Sequence, residues 1–164
     1  MKKILYFGDG SSYHIRNILN SIVNDYEIWL LTTRNVSYYH YNINIILLPR
    51  LTGLFKYFNP FIWFICLLIN LKMIKPDLFE VIFITVHSWI VSFTGYKYIL
   101  TTFGQDIIND ININFIYKYL GMRALKKATH IICLSKIQKN ACLKFVPENK
   151  VNLIYLGVDT VFFL

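Results

Sequence analysis

The chain has 164 residues, a net charge of +8 and a mean hydropathy of +0.44. This length predicts one domain, large enough to bury its own core. The charge favours anionic partners such as nucleotide phosphates, nucleic acid or an acidic lipid surface. A biased genome composition, indicated by the many Ile, Asn, Lys and Tyr residues, explains the charge equally well. Nucleic acid ranks last among these partners, because the chain contains no nucleic-acid recognition motif.

The cysteines, Cys66, Cys133 and Cys142, form no C-x-x-C pair, and an odd number cannot all pair within one chain. Reduced and mostly buried thiols are therefore expected, as in a cytoplasmic protein. The apolar run that follows Lys2 and Lys3 is too short for a signal peptide.

Predicted strands and helices alternate along the chain. The strands are predicted over 3–7, 26–32, 42–48, 78–85, 96–103, 129–134 and 151–155. The helices are predicted from about residue 15, then over 55–74, 87–93, 113–127 and 135–145, the last beginning with a capping box of Ser135 and Gln138. Alternation with nearly continuous apolar strands predicts a doubly wound α/β domain, whose mostly parallel sheet is buried on both faces.

The loop Gly8-Asp9-Gly10-Ser11-Ser12 joins the first strand to the first helix. In an open parallel sheet such a loop lies at the carboxyl edge, where these folds bind ligands, and the N–H groups that open the helix favour anions. The dinucleotide motif G-x-G-x-x-G fails at Tyr13, and Thr32-Thr33-Arg34 replaces the acid expected after the second strand. Because Arg34 could meet a 2′-phosphate, an NADP-dependent oxidoreductase is an alternative.

Three polar side chains follow the carboxyl ends of predicted strands, namely His14, His87 and Asp106. Side chains converge at this edge, so these residues are candidates for a functional role, although a histidine at a helix start is more often structural. Capping of the next helix is an equally good interpretation of Asp106. His40 is predicted at the surface and His130 within a strand, and the four histidines lack metal-ligand spacing.

Three segments resemble the N-terminal domain of retaining glycosyltransferases with the GT-B fold, the family-4 type that uses nucleotide-sugar donors. The segments are 4–16, then 75–87 with 101–106, and finally 124–135 continuing through 149–162. The last is the most specific, since a strand closing on Ser135 and a helix precede the pattern K-V-x-x-I-x-x-G-V-D-x-x-x-F. The expected domain is a Rossmann-like half of a GT-B enzyme over 1–156, with 157–164 beginning an interdomain linker.

This resemblance implies a transferase in surface polysaccharide or glycolipid assembly, with a nucleotide-sugar donor, a glycan or lipid-linked acceptor, and no cofactor or metal. It implies that His14, His87 and Asp106 are the candidate catalytic residues and line the acceptor side. The residues implied in donor-diphosphate or acceptor binding are Gly8, Gly10, Ser11, Ser12, Arg16 and Gly104. Electrostatic stabilisation of the diphosphate would assist leaving-group departure, with retention at the sugar.

Two departures from the family pattern affect this expectation. Many relatives carry a histidine where this chain has Phe103. The nucleotide-binding second domain is also missing from the sequence, so we expect an incomplete enzyme that is inactive alone. It would be a truncated or fragmentary product, or one subunit that needs a separate C-terminal chain; a non-catalytic remnant or binding module is the alternative.

The aromatic segment 55–74 has two interpretations. Its longest apolar run, 61–69, is shorter than the roughly 20 residues that span a bilayer. The preferred interpretation is a helix that is apolar all round because neighbours cover it. The alternative is an interfacial helix, in which lysines flank the aromatic residues and contact the inner face of the membrane from the cytoplasm.

Overall fold

The computed structural model describes residues 1–34, 36 and 42–155. In these residues, the strands form a single sheet in the order β3-β2-β1-β4-β5-β6-β7, and every neighbouring pair is parallel. The predicted doubly wound α/β fold is therefore confirmed. The strands are β1 (Lys3–Phe7), β2 (Glu27–Thr32), β3 (Asn44–Leu47), β4 (Leu78–Ile82), β5 (Ile99–Thr102), β6 (His130–Cys133) and β7 (Val151–Leu153).

Helices connect most of the strands. The α-helices are α1 (Tyr13–Ile22), α2 (Asn59–Ile74), α3 (Val86–Val91), α4 (Gln105–Ile108), α5 (Phe115–Lys127) and α6 (Lys136–Cys142). Short 3-10 helices cover Gly53–Phe58, Asp110–Asn112 and Glu148–Lys150. His40, the G-V-D part of the third segment and the expected linker lie outside the described residues.

Local side-chain chemistry sets several boundaries differently from the prediction. Helix α5 begins at Phe115 rather than 113, because the side chain of Asn114 caps it by accepting from the N–H of Tyr117. The predicted capping box is only half formed. Ser135 Oγ accepts from the N–H of Gln138, but the Gln138 side chain accepts from the N–H of Leu134 instead of reaching back to Ser135.

Side-chain alternation along the central strands divides the core into two clusters. Leu5 and Phe7 of β1 pack with α2, α3, α5 and α6, whereas Ile4 and Tyr6 pack with α1. The expectation that both faces of the sheet are buried holds for the central strands and is wrong at the edges, since β3 is mostly exposed. Buried Cys133 and Cys142 are free thiols whose Sγ atoms lie 3.6 Å apart.

The strand order reverses at β1, which pairs with β2 on one side and β4 on the other. Such a switch point opens a crevice at the carboxyl ends of the two diverging strands, here at Gly8 and Phe83. Phe83 has φ +70°, a conformation that costs a bulky residue about 1–3 kcal/mol. This turn ends β4 at Ile82, three residues before the predicted end, and directs the chain into α3.

Candidate functional site

The loop from Gly8 to Ser12 is pinned against the end of β2. Gly8 N–H donates to the Leu31 carbonyl (3.2 Å), and Gly10 N–H donates to the buried hydroxyl of Thr32 (2.9 Å). A Cβ at Gly10 would lie 3.0 Å from Thr32 Oγ1 and 3.2 Å from the Leu30 side chain. A side chain at this position would therefore have to displace its neighbours by a few tenths of an ångström, and the two hydrogen bonds hold the loop at the switch point.

Asp9 organises the rest of the loop. Its Oδ1 accepts from Ser11 N–H (3.0 Å) and Ser11 Oγ (2.6 Å), and its Oδ2 lies 3.1 Å from Arg34 Nε. Because Ser12 N–H donates to the Asp9 carbonyl, the N–H groups of Gly10, Ser11 and Ser12 all have acceptors inside the protein.

Donors for an external anion therefore come from the next turn of the chain. The first N–H groups of α1 have no intrahelical acceptor, as in any helix, and the side chain of Ser12 makes no capping hydrogen bond. The helix dipole adds partial positive charge at the same place. An anion at this loop would contact the first turn of α1 and Ser12 rather than the loop amides.

His87 lies near the start of α3 and is 8% exposed. Its ring stacks on Trp63 and meets the edge of Phe7 at a centroid distance of 4.8 Å. Nδ1 lies 3.2 Å from the Thr85 hydroxyl, whereas Nε2 has no hydrogen-bond partner among the described residues. Burial lowers the pKa of His87 to about 4, against the opposing effect of Asp9, so the ring is neutral near pH 7.

A pocket of about 440 Å³ opens beside the loop, at the carboxyl edge of the sheet. Its charged lining residues are Asp9, Arg34, Arg50 and Lys56, and His87 also lines it. They come from the segments that follow β1, β2, β3 and β4, which is why the sequence separates them widely. With three cationic side chains against one carboxylate, the pocket is predominantly cationic.

Two hydrogen-bonded contacts hold the segment after β3 against α2. The Trp63 indole N–H donates to the Pro49 carbonyl (2.7 Å). The Asn59 side chain accepts from Leu51 N–H (2.7 Å) and donates to the Leu51 carbonyl (3.1 Å). Arg50 lies between Pro49 and Leu51, so these hydrogen bonds fix the backbone on both sides of it and hold it at the pocket.

His14 belongs to a different cluster, away from His87. Its exposed ring lies 5.3 Å from the ring of Phe103, and Phe103 in turn packs on Phe83 at 4.7 Å. Phe103 thus forms an aromatic row with His14 and Phe83 at the ends of β4 and β5. The structure does not bring His14 and His87 into contact.

Asp106 is 3% exposed and joins the ends of β4 and β5. Its Oδ2 accepts from Ile84 N–H (2.9 Å), and its Oδ1 accepts from the N–H groups of Phe103, Gly104 and Ile107 at 2.9–3.1 Å. Burial raises the pKa of this carboxyl, and the four N–H donors oppose the shift. Both oxygens serve the backbone, so the visible role of Asp106 is to position these loops.

The two remaining predicted residues flank these clusters. Gly104 has φ +106° as the N-cap of α4, and a Cβ there would lie 3.1 Å from Gln138 Nε2. The Arg16 guanidinium lies 5.0 Å from the ring centroid of Tyr13, on α1. Among the described residues, no group of three or more His, Cys, Asp or Glu side chains is placed to hold a metal ion.

Sequence reasoning missed Arg50, Lys56, Asn59 and Trp63 as pocket residues. The available signal was positional, because Arg50 follows β3 and therefore has to emerge at the same edge as Gly8 and Arg34. The reciprocal bonds of Asn59 have no comparable sequence signature. Asn59 precedes Pro60 and looks like an ordinary helix start.

Helix α2 and the preceding 3-10 helix expose an apolar surface beside this pocket. Trp63, Leu67, Leu71 and Ile74 face the core, whereas Phe61, Ile65, Ile69 and Met73 form an exposed row at four-residue spacing. Gly53–Ile74 is 22 residues long and, by length and composition, apolar enough to cross a membrane. Only 17% of its most apolar 18-residue stretch is buried inside the protein. The expectation that neighbours cover this helix all round is wrong.

The sheet order and the loop at its switch point define a Rossmann-like α/β domain of the GT-B type. A family model described as "Glycosyl transferase 4-like" matches residues 3–135. The chain therefore belongs to the glycosyl transferase 4-like family, as the sequence resemblance indicated. No curated protein sequence matches the chain.

Several solved structures share this fold. Sucrose-phosphate synthase from Thermosynechococcus elongatus is similar with a TM-score of 0.70 at 11% identity, over 96% of this chain and 49% of that one. Anabaena HepE in complex with UDP and glucose is similar with a TM-score of 0.66 at 12% identity, over 97% of this chain and 45% of that one. UDP-GlcNAc 2-epimerase from Methanocaldococcus jannaschii is similar with a TM-score of 0.63 at 13% identity, over 94% of this chain and 45% of that one. The chain thus spans less than half the length of these proteins, and at such identities the likeness concerns the fold alone.

Proposed function

We propose that this chain is the acceptor-binding N-terminal domain of a retaining glycosyltransferase, which uses a nucleotide-sugar donor and needs a C-terminal nucleotide-binding domain. The observation that carries the proposal is the hydrogen-bonded Gly8–Ser12 loop at the switch point, with the first turn of α1 and Ser12 left to meet an anion. The donor's diphosphate would lie there. The similarity to a structure solved with UDP and glucose supports this class of donor.

The proposed reaction breaks the anomeric C–O bond to the diphosphate and forms a bond to an acceptor hydroxyl oxygen, with the sugar's configuration retained. The proton of that hydroxyl passes to the leaving diphosphate. Stabilisation of the leaving diphosphate by helix N–H groups lowers the barrier. His14 and His87 stay candidate catalytic residues, and they belong to separate aromatic clusters. Asp106 is a positioning residue in this proposal, because its oxygens already hold four backbone N–H groups.

The acceptor, in this proposal, is a glycan or lipid-linked saccharide used in surface polysaccharide or glycolipid assembly, at the cytoplasmic face of a membrane. The exposed row on α2 supports a peripheral contact, since the opposite row packs on the sheet and keeps the helix attached to the domain. Lys56 and Lys72 lie at the two ends of this surface, as in helices that bind anionic lipid interfaces.

The test is transfer of a labelled sugar by the chain together with a completing C-terminal domain, across a panel of nucleotide-sugars and acceptors. The DNA that follows the codon for Leu164 would identify that domain if the reading frame continues or an adjacent gene encodes it. Labelled product that requires both chains supports the proposal. Absence of product across the panel favours the alternative, a non-catalytic binding module.

A further inference from the structure

The pocket beside the first loop carries more positive than negative charge. Three cationic side chains line it, Arg34, Arg50 and Lys56, against the single carboxylate of Asp9. Asp9 is already engaged by Arg34 and Ser11, and the three salt bridges among the described residues do not include Arg50 or Lys56. The pocket therefore has two cations that no carboxylate of the described chain neutralises.

A second observation also points to a ligand here. His87 lines the pocket, is more than nine-tenths buried, and its Nε2 lacks a hydrogen-bond partner among the described residues. In the tautomer in which Nδ1 accepts from the Thr85 hydroxyl, Nε2 carries the ring proton. Nε2 is itself closed to solvent, so a ligand oxygen reaches it only if a neighbouring side chain moves; such a bond would compensate the cost of an unpaired buried donor.

We propose that this pocket binds a phosphate-type anion carried by the acceptor. The inference rests on the proposed function only in assigning the anion to the acceptor. Asp9 lines the pocket, whereas Ser11 and Ser12 do not, so this anion site is separate from the one proposed for the donor diphosphate at α1. Arg50 supplies a planar donor pair suited to phosphate oxygens, and Lys56 adds a mobile point charge.

The surroundings favour an acceptor whose anionic group is attached to an apolar chain. Lys56 belongs to the same 3-10 helix as Phe55 and Phe58, whose side chains are 67% and 58% exposed. A head group held by the cations would leave its apolar chain next to these rings. The pocket would then bind the anionic head group of an amphiphile, and the apolar surface would bind its chain.

The experiment measures binding of inorganic pyrophosphate to the full chain by calorimetry at low salt. We expect the double variant Arg50→Gln/Lys56→Gln to weaken binding by at least about tenfold, because two charge-assisted contacts are lost. The matched control is Lys72→Gln/Lys97→Gln, which removes the same charge at the opposite edge of the sheet and should change binding by less than about twofold. Any binding of pyrophosphate at the proposed donor site is identified by Ser12→Ala, which should weaken that second binding event alone.

Comparison with a short alkyl diphosphate, below its micelle concentration, separates two sources of the anion. Tighter binding of the alkyl compound, reduced by Phe55→Ser, supports a lipid-linked acceptor; equal binding of both probes supports a soluble phosphorylated one. The proposal is overturned if pyrophosphate does not bind at millimolar concentration, if both double variants weaken binding equally, or if Ser12→Ala alone abolishes it. Sugar transfer to an uncharged acceptor alongside any of these results would leave the proposed function standing without this pocket.

Discussion

The imidazole of His87 lies parallel to the indole of Trp63, with ring centroids 5.8 Å apart and 10° between the planes. The contact joins the start of α3 to α2, while the indole N–H reaches back to the Pro49 carbonyl next to Arg50. One stacked pair therefore fixes the relative positions of a candidate catalytic histidine and a pocket cation.

Burial of His87 makes stability depend on pH in a defined window. The folded pKa of about 4 lies below the ordinary 6.5, so the unfolded chain binds more protons between these values. The stability contribution is complete above pH 6.5 and is lost as the pH falls towards 4. We expect wild type to lose about 2–3 kcal/mol relative to His87→Phe between pH 6.5 and 4.5, measured by urea unfolding. Parallel pH profiles of the two proteins would contradict this.

Thr32 holds the loop through its hydroxyl, which accepts from the N–H groups of Gly10 and Arg34. Thr32→Val removes the hydroxyl oxygen that accepts from the buried Gly10 N–H, so we expect a loss of about 1–3 kcal/mol in the free energy of unfolding. Thr32→Ser keeps the acceptor and is the control, losing about 1 kcal/mol from the missing methyl group. Equal losses for Val and Ser would show that the hydroxyl does not hold the loop.

Glu80 is a buried carboxyl in the middle of the sheet and accepts from the Thr101 hydroxyl at 2.6 Å. Burial raises its pKa above the ordinary 4.5, so the folded chain holds this proton more tightly than the unfolded chain. The associated stability is present below pH 4.5 and is lost as the pH rises through the folded pKa. Glu80→Gln keeps an acceptor without the charge, and we expect its urea midpoint to exceed that of wild type increasingly with pH. A lower midpoint at alkaline pH would refute this.

The exposed apolar surface of α2 and of the preceding 3-10 helix predicts binding to lipid vesicles. We expect Phe58→Ser/Phe61→Ser to reduce co-sedimentation with anionic vesicles by about tenfold or more, since two largely exposed rings are lost. Phe115→Ser/Ile116→Ser removes comparably exposed side chains from α5 and should change binding by less than about twofold. The membrane contact would be rejected if both pairs behave alike or if wild type does not sediment with vesicles.

Periodicity and turn residues were sufficient to predict the fold. The strand patterns around Gly8 and Gly104 placed both glycines at the carboxyl edge, and the family segments agreed with that placement. Boundaries were less accurate where a single side chain or dihedral decides them. The left-handed backbone of Phe83 is one case, because a bulky aromatic gives no sequence warning of such a turn.

The site was predicted only in part, for a physical reason. His87 could be placed at the correct edge, but its burial against Trp63 and its lowered pKa depend on packing between distant segments. Arg50 joins the pocket through hydrogen bonds of its neighbours to α2, which no local pattern encodes. The exposed row on α2 was obscured because the opposite row is equally apolar, and composition does not show which residues are covered.

The most direct measurement is transfer of a labelled sugar by the chain and its completing domain, with wild type, Thr32→Ser and Thr32→Val compared at a temperature where all three are folded. The proposed function predicts product that requires both domains, a rate for Thr32→Ser near that of wild type, and a drop of about tenfold or more for Thr32→Val, because the loop beside the diphosphate loses its anchor. Absence of transfer to any acceptor, or equal rates for Ser and Val, would contradict the role assigned to the Gly8–Ser12 loop.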